Sequence, residues 1–411
     1  MTTSKPRVLV LGSGFGAFSF IKKIDTDYFD VTVVSPRNHF IFTPLLPSTT
    51  VGTIEFRSII EPIRGARKNL SYYEAFAIGL NPEERIVRCR GAQESTEFTI
   101  GYDALVIAVG GTVNTFGIPG VRKHALFLKE VSDARAIRQR IIECFERASQ
   151  PTISTEERKR LLHFVVIGGG PTGVEFAAEM HDFLVEDLKR LYPNCADELR
   201  ISLFEAGDAL LSSFDATLSA YTAKLFRRQN IEVHTGALVT SVDEKHITLD
   251  DGKEIPSGLV VWSTGIAPTE FVVALDLPKD NAQRLLTDDY LLIQGSTTIV
   301  ALGDCANVAE RNLPATSQVA QQQGHYLARA LKRRFTNKPV RPFAYRHYGM
   351  LAYVGSNRAL ADLAGVKGKG FSTWLFWRSA YLTKLVSRKN KLLVIFDWFK
   401  AMVFGRDISR F

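Results

Sequence analysis

Two kinds of segment alternate along the first three quarters of the chain. Short, almost wholly apolar runs rich in Val, Ile and Leu end on glycine, and stretches with apolar residues at three- and four-residue steps follow them. The apolar runs predict buried strands at Arg7–Leu11, Val31–Val34, Leu105–Val109, Leu162–Ile167, Ile201–Phe204, Leu259–Ser263 and Thr297–Leu302. The periodic stretches predict helices at Phe18–Ile24 and Val174–Asp187. Strand–helix alternation of this kind implies an α/β chain with parallel sheets. The last fifty residues change character. Phe371–Val386 and Lys391–Phe404 repeat apolar residues at helical spacing with Lys and Arg set among them, which predicts two amphipathic helices.

Two of the strand-to-helix junctions carry chemistry. Gly12-Ser13-Gly14-Phe15-Gly16-Ala17 follows the first strand and opens the first helix. In a GxGxxG/A turn the first glycine permits the tight bend and the second lets the backbone approach a pyrophosphate. The third position must be small where helix meets strand, and the helix N-terminus supplies N–H groups to the phosphates. Gly168-Gly169-Gly170-Pro171-Thr172-Gly173 repeats the pattern about 155 residues later. After the second loop, the next strand ends at Glu205, an acid suited to accept hydrogen bonds from both ribose hydroxyls and to repel a 2′-phosphate, favouring NADH over NADPH. After the first, Ser35 stands where the acid is expected. Two dinucleotide folds in one chain imply non-covalent FAD in the first and NADH/NAD in the second. Gly303-Asp304-Cys305, after a strand, suits a hydrogen bond from the flavin's ribityl chain to Asp304, and Gly110 and Thr264-Gly265 end the strands that return into each sheet.

Charge and cysteine content narrow the partners. Lys and Arg total 51 against 43 Asp and Glu, a net of +8. Residues 364–411 hold ten of the basic residues, the last being Arg410, and only two acids, Asp397 and Asp407, so this tail carries the whole excess. It also holds Trp374, Trp377 and Trp398, three of the four tryptophans. A basic, aromatic tail without a recognition module points to a lipid surface rather than nucleic acid. Packing of the tail helices on the body or in a homodimer is the alternative. No segment is long and apolar enough to span a bilayer, and no targeting signal opens the chain. The four cysteines share no close spacing, and no Cys/His grouping has metal-ligand spacing, so neither a disulfide framework nor a metal is expected.

Asn38-His39-Phe40-Ile41-Phe42-Thr43-Pro44-Leu45-Leu46-Pro47-Ser48, with Gly52 and residues 58–62, Gly168–Glu175, Gly303–Cys305 and Gln318–Gln322, resembles the type II NADH dehydrogenases, single-subunit NADH:quinone oxidoreductases that pump no protons. The likeness is greatest to the mitochondrial, fungal and plant-like branch and covers nearly the whole chain. It implies a two-dinucleotide-binding flavoprotein fold with four parts: residues 1–125 and 281–338 for FAD, 126–280 for NADH, and 339–411 as a membrane anchor. The implied FAD contacts are Gly12, Gly14, Phe15, Gly16, Ala17, Ser35, Pro36, Arg37, Thr43, Pro44, Leu45, Ala77, Ala108, Gly110, Gly303, Asp304, Gln318 and Val319. The implied NADH contacts are Gly168, Gly170, Pro171, Thr172, Gly173, Glu175, Glu205, Thr264 and Gly265. Glu175, in the first turn after the second loop, and Gln318, Gln321 and Gln322, on one helix face, are the implied catalytic residues. Ser317 replaces the family's usual Ala, and Gln321 stands where some relatives have His. The partners implied are a membrane quinone, the membrane surface and a second copy in a homodimer. The location implied is peripheral, on the mitochondrial inner membrane or a bacterial cytoplasmic membrane. A sulfide:quinone oxidoreductase would need cysteines beside the flavin, where only Cys305 is a candidate. A signalling flavoprotein and a soluble NADH:acceptor reductase are the other readings, and the tail argues against both.

Overall fold

The computed structural model describes residues 4–409, apart from the side chain of Ala196. Arg410 lies outside the described residues. The chain divides into two compact units: residues 1–41, 60–112 and 266–347 in the first, and 42–59, 113–265 and 348–411 in the second.

The first unit is built on a seven-stranded sheet, in the order Ile299–Ala301, Ala104–Ile107, Arg7–Leu11, Asp30–Ser35, Leu70–Asn81, Ile86–Gly91 and Glu97–Gly101. The first five strands are parallel and the last two return as antiparallel hairpins. Val8, Leu9, Val10 and Leu11 are all buried, as a parallel strand covered on both faces requires. Helix Phe15–Ile21 follows, three residues earlier than the periodicity predicts, because Gly16 and Ala17 are helical rather than part of the turn. It packs on helix Ser317–Phe335 so closely that a Cβ on Gly324 would lie 2.3 Å from the Gly16 carbonyl oxygen.

The second unit repeats the plan with five parallel strands, in the order Leu126–Phe127, Leu259–Trp262, His163–Ile167, Arg200–Glu205 and Ile231–Thr235. Its glycine loop opens helix Pro171–Phe183, again earlier than predicted. Pro171 sits at the start of the helix, where its missing N–H costs nothing. The helix changes to a wider π turn over Leu184–Leu188. Asp250-Asp251-Gly252 turns a hairpin between His246–Leu249 and Glu254–Pro256.

The unit boundaries fall after Thr112 and Gly265 rather than after residues 125 and 280. Residues 348–411 group with the second unit rather than standing alone. The reason is physical: strand Met350–Gly355 lies against helix Pro171–Phe183, with the Tyr353 hydroxyl donating to Asp182 and the Ser356 N–H donating to the same carboxylate at 2.9 Å.

The two tail helices run over Phe371–Lys384 and Arg388–Phe404. They differ from the amphipathic prediction in which side faces out. Trp374, Trp377, Tyr381 and Leu385 turn inward, and Arg378 lies between the rings of Trp374 and Trp398, 4.0 and 4.5 Å from their centroids. In the last helix Asn390, Val394, Asp397 and Trp398 are buried, while Leu392, Ile395, Phe396, Phe399, Met402 and Val403 are exposed. Asp397 faces inward because it accepts from the Glu55 N–H at 3.0 Å and the Ser58 hydroxyl at 2.5 Å, and Lys400 pairs with Glu55 at 2.6 Å. Asp397→Ala would strand a buried hydroxyl and a half-buried N–H. It should cost about 2–4 kcal/mol in urea unfolding, and Asp397→Asn, which keeps an acceptor, should cost less.

Candidate functional site: two glycine-loop cradles and a buried acid ladder

In the first unit the chain leaves strand Arg7–Leu11 through Gly12, whose φ of +112° an L side chain rarely adopts. A Cβ there would meet the Ala108 carbonyl oxygen at 2.3 Å. The bend therefore lies against the end of strand Ala104–Ile107, where the sheet order reverses and α/β sheets bind ligands. Gly14 caps the following helix with no side-chain hydrogen bond, and a Cβ on it would meet nothing within 4 Å. A helix start without a side-chain cap and the open space beside Gly14 fit a pyrophosphate. Ala17 is fully buried at the helix–sheet contact.

At the end of the next strand, Ser35 is buried and donates to the Ser13 hydroxyl at 3.0 Å, and the Arg37 guanidinium donates to the His39 carbonyl at 2.9 Å and to Ser13 at 3.3 Å. Hydroxyl and guanidinium donors thus stand where an acid was expected. Pro36 beside them is exposed. Gly303 takes a φ of +75°, and its N–H donates to Gln323 Oε1 at 2.8 Å, which fixes the turn carrying Asp304. Gln323, one residue past the predicted stretch, was missed because only the fold brings its amide to that turn. Cys305 is fully buried with its thiol pushed up to about 12 by burial, so it is an inert packing residue.

Gln318 and Gln321 are half-buried on helix Ser317–Phe335, and Val319 is buried beside them. Gln322 uses both ends of its amide on Arg346, accepting from its N–H at 3.0 Å and donating to its carbonyl at 2.8 Å, which anchors the passing chain. Ala77 lies half-buried opposite Cys89 in strand Leu70–Asn81. Phe15, at the start of its helix, meets Phe40 edge-on at 4.9 Å, and Gly110 turns with a φ of +70°. Thr43, Pro44 and Leu45 form a tight turn in the second unit, with Leu45 buried and the other two half-buried.

The second cradle repeats the first. Gly168 has a φ of +110° and would place a Cβ 2.9 Å from the Ser263 carbonyl oxygen, beside Thr264. Gly173 would place one 2.0 Å from the Gly168 oxygen. Gly170 caps its helix without a side-chain partner and opens on empty space, with Pro171 exposed and Thr172 half-buried after it. Gly265, also at positive φ, is exposed. Glu205 accepts from the Gly169 N–H at 2.6 Å and the Gly207 N–H at 2.7 Å. Its carboxylate is thereby held from the strand end over the glycine loop, half-buried.

Glu175 lies in the second turn of its helix rather than the first, and faces inward. One oxygen accepts from the Tyr353 N–H at 3.1 Å, and burial pushes its carboxyl up to about 8, with Glu179 adding to the shift. Glu179 and Asp182 follow at one-turn steps and are also buried. Glu179 accepts from Ser48 at 2.6 Å and Thr53 at 2.9 Å, and burial raises its carboxyl too, against the opposing charge of Arg406. This ladder of acids was legible as acids four and seven residues after Glu175 in an otherwise apolar helix, but it was not read. No group of His, Cys, Asp and Glu among the described residues could hold a metal ion.

Comparison with known proteins places this geometry. Residues 6–324 match the pyridine nucleotide-disulphide oxidoreductase family and residues 347–407 match the NDH2 C-terminal domain. A probable NADH dehydrogenase of Dictyostelium discoideum is 45% identical, covering 98% of this chain and 91% of that protein. An internal alternative NAD(P)H-ubiquinone oxidoreductase of Arabidopsis thaliana mitochondria is 42% identical, covering 99% of this chain and 86% of that one. The structure of NDH2 from Plasmodium falciparum in complex with NADH superposes with a TM-score of 0.96 at 29% identity, covering 99% and 100% of the two chains.

Two predictions follow from the second cradle and its helix. Glu205→Arg should shift the NADH/NADPH ratio of kcat/KM at least about tenfold toward NADPH. Because Glu175 titrates higher folded than unfolded, its contribution to stability is complete below its ordinary value of 4.5 and is lost as pH rises through about 8. Urea midpoints of Glu175→Gln should therefore fall less than those of the parent between pH 5 and pH 8.

The paired cradles, the catalytic-domain match and the C-terminal match coincide on one assignment: the chain belongs to the type II NADH dehydrogenases.

Proposed function

We propose that the chain oxidises NADH and reduces a membrane quinone of the ubiquinone class, without pumping protons. The carrying observation is the doubled glycine cradle, one copy lacking a ribose acid and one braced by Glu205. Bound FAD would supply the chemistry, two-electron transfer between NADH and a quinone, with one hydride taken in and two electrons with two protons given up to form the quinol.

The residues of this chain supply position and charge. The first loop would hold the FAD pyrophosphate at the helix start after Gly14, with the Arg37 guanidinium donating and the Ser35 hydroxyl accepting on the adenosine side, and Asp304 accepting from the ribityl chain. The second loop holds the NADH pyrophosphate after Gly170, with Glu205 accepting from the ribose. Gln318 and Gln321 offer neutral donors toward the quinone. Glu175, protonated at neutral pH, is the acid that the second unit offers for the proton balance of quinone reduction.

The relatives named as mitochondrial support placing this chain in the mitochondrion. The outward apolar face of the last helix supports peripheral docking on a membrane there. Leu392, Phe396 and Phe399 are 68%, 60% and 52% exposed, and Arg388, Lys389 and Lys391 lie at that helix's start. Such a face inserts at the level of the lipid headgroups, with the cations against anionic lipid. No helix among the described residues is long and apolar enough to cross a membrane. A homodimer through the same face is the competing occupant.

The decisive experiment is anaerobic addition of NADH to the flavin-loaded protein. The flavin absorbance should bleach and then recover on addition of a short-chain ubiquinone. Absence of bleaching, or bleaching without recovery, would refute the assignment. Leu392→Ser/Phe396→Ser/Phe399→Ser should lower partitioning onto mixed zwitterionic and anionic vesicles at least about tenfold. Unchanged partitioning with a halved mass in sedimentation would assign the face to a dimer instead.

A further inference from the structure

The tail ends in a contact that the proposed reaction does not use. After the last helix, Gly405 turns with a φ of +76° and Arg406 enters the second unit with its side chain only 7% exposed. Its Nη1 pairs with Asp187 at 2.8 Å and Glu186 at 2.7 Å, and its N–H donates to Asp187 at 3.1 Å. Its Nε donates to the Thr53 hydroxyl at 2.9 Å, and that hydroxyl donates to Glu179 Oε2 at 2.9 Å. The guanidinium donates to the hydroxyl and the hydroxyl to the buried carboxylate, one hydrogen-bonded chain ending on Glu179, which lies one helical turn from Glu175.

An isolated buried carboxylate takes up a proton unless a cation and hydrogen bonds hold its charge. Two carboxyls a turn apart cannot both stay ionised cheaply, so whichever is better compensated keeps the charge. Glu179 has two hydroxyl donors, from Ser48 and Thr53, and faces Arg406, with Arg378 of the tail helix Phe371–Lys384 as a second cation and Asp182 as an opposing anion. Glu175 has the Tyr353 N–H and faces Trp377 and Tyr381, with no cation among the groups that act on it. We propose that Arg406 is a positioning residue for the quinone reaction: through Thr53 it holds Glu179 as an oriented anion, so that Glu175 is the ladder acid that carries the proton. This rests on the NADH:quinone reading above. It also gives the last turn of the chain a task besides closing the tail, since the segment that ends the exposed helix is the one that sets the charge of the buried ladder.

The test is the pH profile of quinone reduction, with an infrared titration of the carboxyl C=O stretch as a readout independent of turnover. Glu175→Gln identifies the limb and the band that belong to Glu175. In Arg406→Gln, Glu179 loses the cation linked to it through Thr53 and keeps only Arg378, which makes no hydrogen bond to it; it then takes up a proton, so the negative charge beside Glu175 disappears. The limb should move about one unit to lower pH, and a second protonated-carboxyl band should appear at neutral pH. Arg406→Lys should restore both wild-type signatures. Glu179→Gln should move the limb by itself, and adding Arg406→Gln to it should move the limb no further, because the arginine acts through that carboxylate. If Arg406→Gln lowers only the unfolding midpoint and leaves limb and band in place, the residue is structural and the proposal is overturned. If Arg406→Gln does not fold, Glu179→Gln decides: an unmoved limb overturns the proposal. A parent enzyme that reduces no quinone would instead defeat the assigned reaction, and the infrared bands would still report on Arg406.

Discussion

The constraint from which the rest follows is the approach of one backbone to another at the two glycine bends. At Gly12 and at Gly168 the chain passes so near a neighbouring strand end that a single methyl would collide with a carbonyl oxygen, and both residues take a φ that side chains disfavour. That closeness starts the next helix at the sheet's carboxyl edge with no side chain capping it. Everything a dinucleotide needs at its phosphates is therefore made of backbone, and the side chains are left to distinguish one dinucleotide from the other. At that strand end the second unit carries Glu205, which accepts from the Gly169 N–H, while the first carries Ser35 and Arg37 in its place.

A second theme is the inversion of polarity in the second unit. Helix Pro171–Phe183 carries three acids on its buried side, and the last tail helix carries aliphatic and aromatic residues on its exposed side. Each arrangement costs free energy in an isolated soluble body. The buried acids are offset by hydroxyls from residues 48 and 53, backbone N–H groups of residues 353 and 356, and the guanidinium of Arg406. The tail's polar groups are offset in the same way, with Asp397 closing on the turn at Glu55–Ser58. What remains outside is an apolar strip suited to lipid. The inward polar face anchors the tail, and the outward face is apolar.

Pattern and spacing were enough for the two cradles. A β-branched run, glycines at fixed offsets and a following helix admit few conformations, so Gly12, Gly14, Gly168, Gly170 and Gly173 could be placed from the chain itself. The helix starts were misjudged by three residues because glycine and proline read as breakers in a pattern, although a small residue or a proline in the first turn is favourable there. The acid at Glu205 was legible because it ends a strand. The tail was legible as helical and basic, but not in its orientation. Periodicity gives the angle between faces and not which one is buried, and Trp374, Trp377 and Tyr381 look as suited to lipid as to a core.

The amino-acid sequence by itself determined the two nucleotide folds, their order, the absence of a cysteine pair beside the flavin loop and the basic character of the C-terminus. All of these are set by neighbours within about thirty residues or by composition. Tertiary structure alone decided what the long-range partners settle: that Gln322 is spent on Arg346, that Gln323 holds the Gly303 turn, that residues 348–411 fold onto the second unit, and that Arg406 reaches the acids of a helix more than two hundred residues earlier. The physical reason is that a backbone bend is dictated by the residues that make it. The charge and orientation of a buried side chain are dictated by whatever donor the rest of the chain brings to it.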